Sequence, residues 1–325
     1  MDFKKIKIIY IFVALLLTIS LPWFWRFGFA SIAGGIDNSG KLKVIFFDVG
    51  QGSSVFIEAL NKNQILIDGG PGSQILNKLG GVMPFFDRDI DAVILTHPDS
   101  DHLNGLVDVL QKYEVGQVID SCVNDSGAAY QEWLKLIADK KINRLCAKAG
   151  QKIKLDSDTE INILYPFSSL EGMSFKNTND VSIVAKLNYG QNHILLTGDA
   201  EEKTEYQLIN FGVIPQAQIL QVGHHGSKSS SSENFVKAVN PETAVIQVGK
   251  NNRYGHPHQE VLGRLNSFCH SDPPQAGKNL NDEILRFAQD DDEGCIGERG
   301  AEIFRTDLDG DVEFLCDIEK CTAVK

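Results

Sequence analysis

In the stretch Thr96-His97-Pro98-Asp99-Ser100-Asp101-His102, two imidazoles and two carboxylates fall within six residues, directly after the apolar run 91–95. A buried strand that ends in so much charge gains nothing by packing. A divalent cation is the simplest partner that neutralises and satisfies such groups. Asp68, Asp199, His224, His225, His256 and His258 stand in similar places, just past other apolar runs. Six nitrogen and oxygen donors without sulfur, His97, Asp99, Asp101, His102, Asp199 and His224, fit two divalent ions of zinc or manganese type. A carboxylate such as Asp199 would bridge them. Water held between two such ions loses a proton near neutral pH and becomes a nucleophile, while the ions polarise the electrophile.

The elements that must position these residues read as follows. Strand-like runs at 43–49, 54–60 and 64–67 are separated by Gly50-Gln51-Gly52 and Asn61-Lys62-Asn63 turns, and Asp68-Gly69-Gly70-Pro71-Gly72 closes the meander. Periodicity predicts a strand at 91–95, a helix at 103–111, and then a strand, helix and strand at 115–119, 128–139 and 142–146. In the second half, strands are predicted at 161–165, 181–188 and 193–196, the last running into Thr197-Gly198-Asp199. A helix at 200–211 and a strand at 218–222 lead to Gly223-His224-His225-Gly226-Ser227. A helix at 235–239, a strand at 243–248 and a closing hairpin of 301–305 with 312–316 about Asp309-Gly310 complete the chain. Two strand-plus-helix halves predict an α/β protein of four layers, an αββα sandwich. A doubly wound parallel sheet is the runner-up, and the tight turns before Asp68 argue against it. Loops that follow strands are where sites assemble on layered folds.

The N-terminus departs from this pattern. Lys4, Lys5 and Lys7 precede an apolar run at 8–21, followed by Pro22-Trp23-Phe24-Trp25-Arg26. The aromatic group would extend a short span and sit in a headgroup belt, and the lysines place the body outside the cytoplasm. Residues 1–40 are therefore expected to form a single-pass signal-anchor with a Gly-rich linker. Cleavage near Ser31-Ile32-Ala33, giving a secreted protein, is the alternative. Residues 41–325 are expected to form the hydrolase domain. The polar segment 267–299, with Pro273-Pro274 and the run Asp290-Asp291-Asp292-Glu293, reads as a loop insertion. A formal charge of -12 counts against tight, processive binding of polyanions, although metal ions would offset it locally. The six cysteines show no CxxC spacing, which disfavours a thiolate zinc site. Cys316 with Cys321, or Cys269 with Cys295, are possible disulfide partners outside the cell, and buried thiols that pack like Trp133 are the other reading.

Taken in order, several motifs resemble the metallo-β-lactamase superfamily, whose signature is H-x-H-x-D-H. They are Phe47-Asp48-Val49-Gly50-Gln51-Gly52, Leu66-Ile67-Asp68-Gly69-Gly70, the His97-to-His102 cluster and Asn179-Asp180-Val181-Ser182. Leu195-Leu196-Thr197-Gly198-Asp199-Ala200, Val222-Gly223-His224-His225-Gly226-Ser227 and Gly255-His256-Pro257-His258 complete the set. Within the superfamily they are most similar to the extracellular hydrolase domain of ComEC/Rec2 DNA-uptake proteins, over 43 to about 315. The resemblance implies His97 with Asp99 at one metal, Asp101 with His102 at the other, Asp199 as the bridge and His224 as the late histidine ligand. Asp68 would brace the metal loop, and His225 would lie behind the ligands. Asp99 replaces the second histidine of the motif and hardens the site, which brings manganese level with zinc. The superfamily's isolated third histidine is missing: between His102 and Asp199 the only histidine is His193, and the Asn179-Asp180 turn would fill that place, through water. Gly52-Ser53 stands where the subfamily has Gly-Asp.

The expected function is a metal-dependent phosphodiesterase or nuclease, with DNA or another phosphodiester as substrate. Asp101 and His256 are the expected catalytic residues, with a protonated His256 or Lys228 assisting the departing oxygen. Ser227, Lys228 and His258 are expected at the substrate, although a helix cap accounts for the serines and a helix-start turn accounts for His256 and His258 equally well. The chain lacks the many spans of a DNA channel, so a separately encoded channel is a candidate partner. Hydrolysis of carboxylic esters, lactones or thioesters, and a non-catalytic role beside a channel, are the competing readings.

Overall fold

A computed structural model describes residues 40–213, 216–267 and 300–324. The expected anchor and linker, the insertion 267–299 beyond Ser267 and the Cys269–Cys295 pairing lie outside the described residues. Among the described residues no helix is long and apolar enough to cross a membrane.

Fifteen described strands form two sheets. The first contains β1 (Leu42–Phe46), β2 (Val55–Glu58), β3 (Gln64–Ile67), β4 (Asp89–Ile94), β5 (Glu114–Asp120), β6 (Asn143–Cys146), β14 (Val312–Cys316) and β15 (Cys321–Val324), in the order β15-β14-β1-β2-β3-β4-β5-β6. The second contains β7 (Lys152–Lys154), β8 (Thr159–Tyr165), β9 (Val184–Tyr189), β10 (Asn192–Leu196), β11 (Ile219–Gln221), β12 (Thr243–Ile246) and β13 (Glu302–Arg305), in the order β13-β12-β11-β10-β9-β8-β7. Side chains alternate across a strand. In β1, Leu42, Val44 and Phe46 therefore enter the core between the sheets, where they meet Ile163, Leu187, Ile194 and Phe304. Ile45 points outward to the helices α1 (Gln74–Val82), α2 (Ser100–Lys112) and α3 (Ala128–Lys140), which bury Leu79, Leu106 and Trp133 on that face. On the outer face of the second sheet, α4 (Glu202–Asn210), α5 (Glu233–Val239) and α6 (Gln259–Ser267) bury Leu208, Phe235 and Val261. This is the expected αββα sandwich, and it excludes the doubly wound sheet.

The strands that carry site residues are parallel neighbours. β3 pairs with β4 (Ile67 opposite Ile94), and β10 with β11 and β11 with β12, so their C-terminal loops open at one edge of each sheet.

The closing hairpin is not formed. β13 adds in parallel to β12 in the second sheet, while β14 pairs with β1 in the first. The turn Thr306–Asp309 (α7) carries the chain across, fastened where the Thr306 hydroxyl donates to Val248 O and accepts its N–H. Two apolar strands with a Gly turn look alike whether they pair with each other or with separate sheets. α1, β7 and β15 were not expected from the sequence, and the predicted strand from 181 is instead a 3-10 turn (Thr178–Val181) ahead of β9. Among the described residues two disulfides are present: Cys316–Cys321, and Cys122–Cys146, which joins the ends of the adjacent strands β5 and β6.

Candidate metal centre

The site begins at the end of β3. Asp68 is fully buried and in the left-handed region (φ 57°), which turns its carboxylate back under the β4 loop. One oxygen accepts the Thr96 N–H at 2.8 Å; the other accepts the Thr96 hydroxyl and the His102 Nδ1–H, both at 2.8 Å. Because the Thr96 hydroxyl donates to Asp68, it must accept from His97 Nδ1, 3.0 Å away. A single carboxylate thus fixes Nδ1 of both histidines as a donor, so that each Nε2, when its ring is neutral, presents its lone pair to the site. The loop is fixed by close backbone contact: Gly69 N donates to His102 O (2.8 Å), and Gly105 N to Gly70 O (3.0 Å). A Cβ on Gly105 would lie 1.9 Å from Gly69 O, so only glycine lets α2 approach. Asp99 sits at the N-cap of α2 but does not cap it; its carboxylate accepts the Thr178 hydroxyl instead.

Asp199 lies past β10 at the centre of four imidazoles. His102 Nε2 is 3.1 Å from Oδ1, while Oδ2 has His225 Nε2 at 3.5 Å and His97 and His224 Nε2 at 3.9 Å each. Its backbone N–H donates to the Ser182 hydroxyl. His224 and His225 occupy consecutive left-handed positions, which send their rings to different neighbours. His225 Nδ1 donates to Gln247 O at 2.8 Å and turns Nε2 toward Asp101 Oδ2 at 3.2 Å. Gln247 in turn donates to Phe47 O and Ser54 O of the first sheet and accepts from Gln221 of the second, so it clamps the two sheets beneath the site. His224 Nδ1 faces Glu201 Oε1 at 3.2 Å, with Asn179 Nδ2 at 3.3 Å.

Burial disfavours charge at this cluster, yet mutual attraction overrides it. Although desolvation opposes the imidazolium, Asp199 and Asp68 hold His102 well above the ordinary histidine range. Desolvation likewise opposes the Asp199 carboxylate, and His102, His225 and His97 hold it well below its ordinary range. Asp101 is drawn down to about 2 by His225 and His102 against the same penalty. Among the described residues, His97 Nε2, His102 Nε2 and Asp199 Oδ1 are buried and make no hydrogen bond. His102 Nε2 and Asp199 Oδ1 still face each other at 3.1 Å, whereas an imidazole nitrogen buried without a partner, as His97 Nε2 is, costs about 1–3 kcal/mol unless something binds it. Donor atoms of His97, His102 and Asp199, and of Asp101, His102 and His225, lie within 4.8 Å of one another. Lone-pair nitrogens and carboxylates at this spacing suit divalent cations, so the residues fit the expected metals.

The structure thus brings His97, Asp99, Asp101, His102, Asp199 and His224 together, and places Asp68 and Asn179 behind them. The division between the late histidines differs from expectation. His225, expected behind the ligands, is in a donor group, whereas His224, expected as the late ligand, lies outside both donor groups and contacts Asn179 and Glu201. His256 is not the protonated group expected. Burial, then His224, His225 and His258, lower it to about 4, so it is neutral at pH 7, and its buried Nδ1 makes no hydrogen bond among the described residues. Ser227 is buried with its hydroxyl on Ser229, and His258 Nδ1 accepts the Lys228 N–H, which leaves only the Lys228 side chain exposed. The serine run is pinned: Glu205 accepts Ser231 and Ser232 N–H, and Arg264 donates to Ser230 O and Ser231 O. The sequence assigns no role to Thr96, Thr178, Ser182, Glu201, Gln221 or Gln247. Their side-chain partners are 17 or more residues away apart from the contacts of Thr96 with His97 and His102, and polar residues at strand ends carry no local signal.

The metallo-beta-lactamase superfamily model matches residues 47–250, which spans the metal loop, Asp199 and both late histidines. The chain belongs to the metallo-beta-lactamase superfamily. This superfamily fold binds divalent metals, typically as a dinuclear centre, and marks the chain as a metal-dependent hydrolase. It is 31% identical over 244 residues to ComE operon protein 3 of Bacillus subtilis (strain 168), covering 70% of this chain and 31% of that protein. It is 30% identical over 230 residues to Recombination protein 2 of Haemophilus influenzae, covering 68% of this chain and 26% of that protein. The chain therefore spans about a third or less of these relatives' own length. Among solved structures, the metallo-beta-lactamase fold protein YhfI from Bacillus subtilis aligns at a TM-score of 0.50 with 13% identity, covering 85% of this chain and all of that one.

Proposed function

We propose that this superfamily member is a phosphodiesterase that cuts nucleic-acid strands outside the cytoplasmic membrane, using zinc or manganese. The observation that carries the reading is the position of Asp199, one buried carboxylate facing four imidazoles across two carboxylate-bearing flanks. His97, Asp99 and His224 would hold one ion and Asp101, His102 and His225 the other, with Asp199 shared. When bound, the ions would lower the pKa of water and neutralise charge on a phosphoryl group. Asp68, through Thr96, and Gln247 keep the imidazole lone pairs aimed inward, and Asp101 stays ionised and able to accept a hydrogen bond from the attacking water. Lys228 is the exposed cation nearest in sequence to the late histidines, and it would sit at the departing oxygen, a role the neutral His256 does not fill.

The choice of phosphodiester is supported by relatives named for competence and recombination. Action outside the cytoplasm is supported by the lysines before the apolar run 8–21 and by two disulfides, which persist in oxidising compartments. The same relatives support a DNA-uptake channel as the partner beside which such a hydrolase would work. The test is the full-length protein, loaded with manganese or zinc, on supercoiled and linear DNA, with Asp199→Ala beside it. Nicking that disappears in the variant supports the proposal. Cleavage of carboxylic esters or lactones, with DNA and simple phosphodiesters left intact, would replace it with the carboxyl-ester reading.

A further inference from the structure

The loop after β12 ends in a stack of polar rings that the metal site does not require. Tyr254 is 51% exposed, and its ring lies 5.6 Å from His256 at an interplanar angle of 26°. The Arg253 guanidinium lies 5.0 Å from the centre of the same ring and donates to the Tyr254 hydroxyl. His256 in turn lies 5.6 Å, ring to ring, from His224. The stack therefore leads from solvent to the donor cluster in two ring-to-ring steps. The loop is also built to hold this shape. Asn252 donates to Gly249 O and His256 O, and its carbonyl accepts the N–H groups of Tyr254 and His256. In a chain of charge -12, the exposed cations Lys228, Lys250 and Arg253 belong to this loop and its neighbour.

A half-exposed aromatic ring with a guanidinium over it, which itself offers a planar cation to stack on, is the kind of surface that takes an unpaired base next to its phosphate. A duplex keeps its bases stacked on one another and offers no free face. We infer that Arg253 and Tyr254 form a nucleobase platform that selects single strands or frayed ends and draws the adjoining phosphodiester toward the metal centre. This rests on the phosphodiester reading above and adds to it a substrate class, unpaired nucleic acid.

The experiment compares kcat/KM of the manganese-loaded full-length protein on oligothymidylate, on an abasic backbone of equal length and on a blunt duplex. Base stacking predicts that oligothymidylate exceeds the abasic strand by roughly 5- to 150-fold, chiefly through KM. Tyr254→Ala should erase that difference and Tyr254→Phe should keep it, while Arg253→Ala should reduce it. Equal cleavage of base-bearing and abasic strands by the unaltered protein, or a preference that survives Tyr254→Ala, would overturn the platform and leave the phosphodiesterase standing. No cleavage of any backbone would refute the phosphodiesterase itself, and the platform with it.

Discussion

Asp68→Asn is the substitution that tests most directly how the site is held. Asn tolerates the left-handed backbone at this position, so the turn should survive. Its amide keeps one oxygen for the Thr96 N–H but turns a donor toward the Thr96 hydroxyl and His102 Nδ1, which now receive two protons where they met a carboxylate oxygen. His102 relieves the clash by moving its proton to Nε2, the atom that faces Asp199, and so loses its lone pair toward the site. Loss of such an orienting partner lowers metal affinity by about 10- to 100-fold. At a metal concentration of about 100 Kd, binding stabilises the unaltered protein by about 2.7 kcal/mol, and the variant would retain only about 0.4–1.4 kcal/mol. The assay is thermal unfolding with and without manganese or zinc, alongside competition against a chelator. An Asp68→Asn protein that folds, binds metal as tightly and shows the same metal-dependent rise in Tm would refute the tautomer argument.

Asp199→Ala removes the carboxylate common to all four imidazoles, and should lower hydrolytic turnover at least about 100-fold and abolish metal-induced stabilisation, as read by activity and calorimetry. Glu205, buried under the serine run, is pushed up to about 7 by burial against its bonds from Ser231 and Ser232. Between its ordinary value of 4.5 and about 7 the unfolded chain is ionised and the fold is not, so stability falls as pH rises, by about 3 kcal/mol in all. Glu205→Gln should flatten that slope in urea titrations at pH 5 and 7. Gly52→Ala would set a Cβ 2.3 Å from Asp101 O at φ +149°, and should cost about 1–3 kcal/mol while weakening metal binding; an unchanged midpoint in denaturant would contradict it. Phe46→Ala, in the core between the sheets, should cost about 3–5 kcal/mol in denaturant titrations and leave the metal affinity of the folded protein unchanged.

Much of the architecture was legible because burial writes itself as local periodicity. Alternation in β1 and the Leu103, Leu106 and Leu110 spacing of α2 mark faces whatever they pack against. What failed was pairing. β13 and β14 read as a hairpin because nothing in either strand says that one belongs beside β12 and the other beside β1. The Cys122–Cys146 bond was missed for the same reason, since it joins strand ends that become neighbours only when β5 and β6 align.

By itself, the chain determined which groups could bind metal. His97, Asp99, Asp101 and His102 are close in sequence, and so much charge at the end of an apolar run calls for a cation. Only the tertiary structure decided how those groups are aimed. The placement of His225 beside Asp101, the reach of His224 to Glu201 and the neutrality of His256 depend on ring orientation. That orientation is set by hydrogen bonds to partners 22 or more residues away and by burial, which no local pattern encodes.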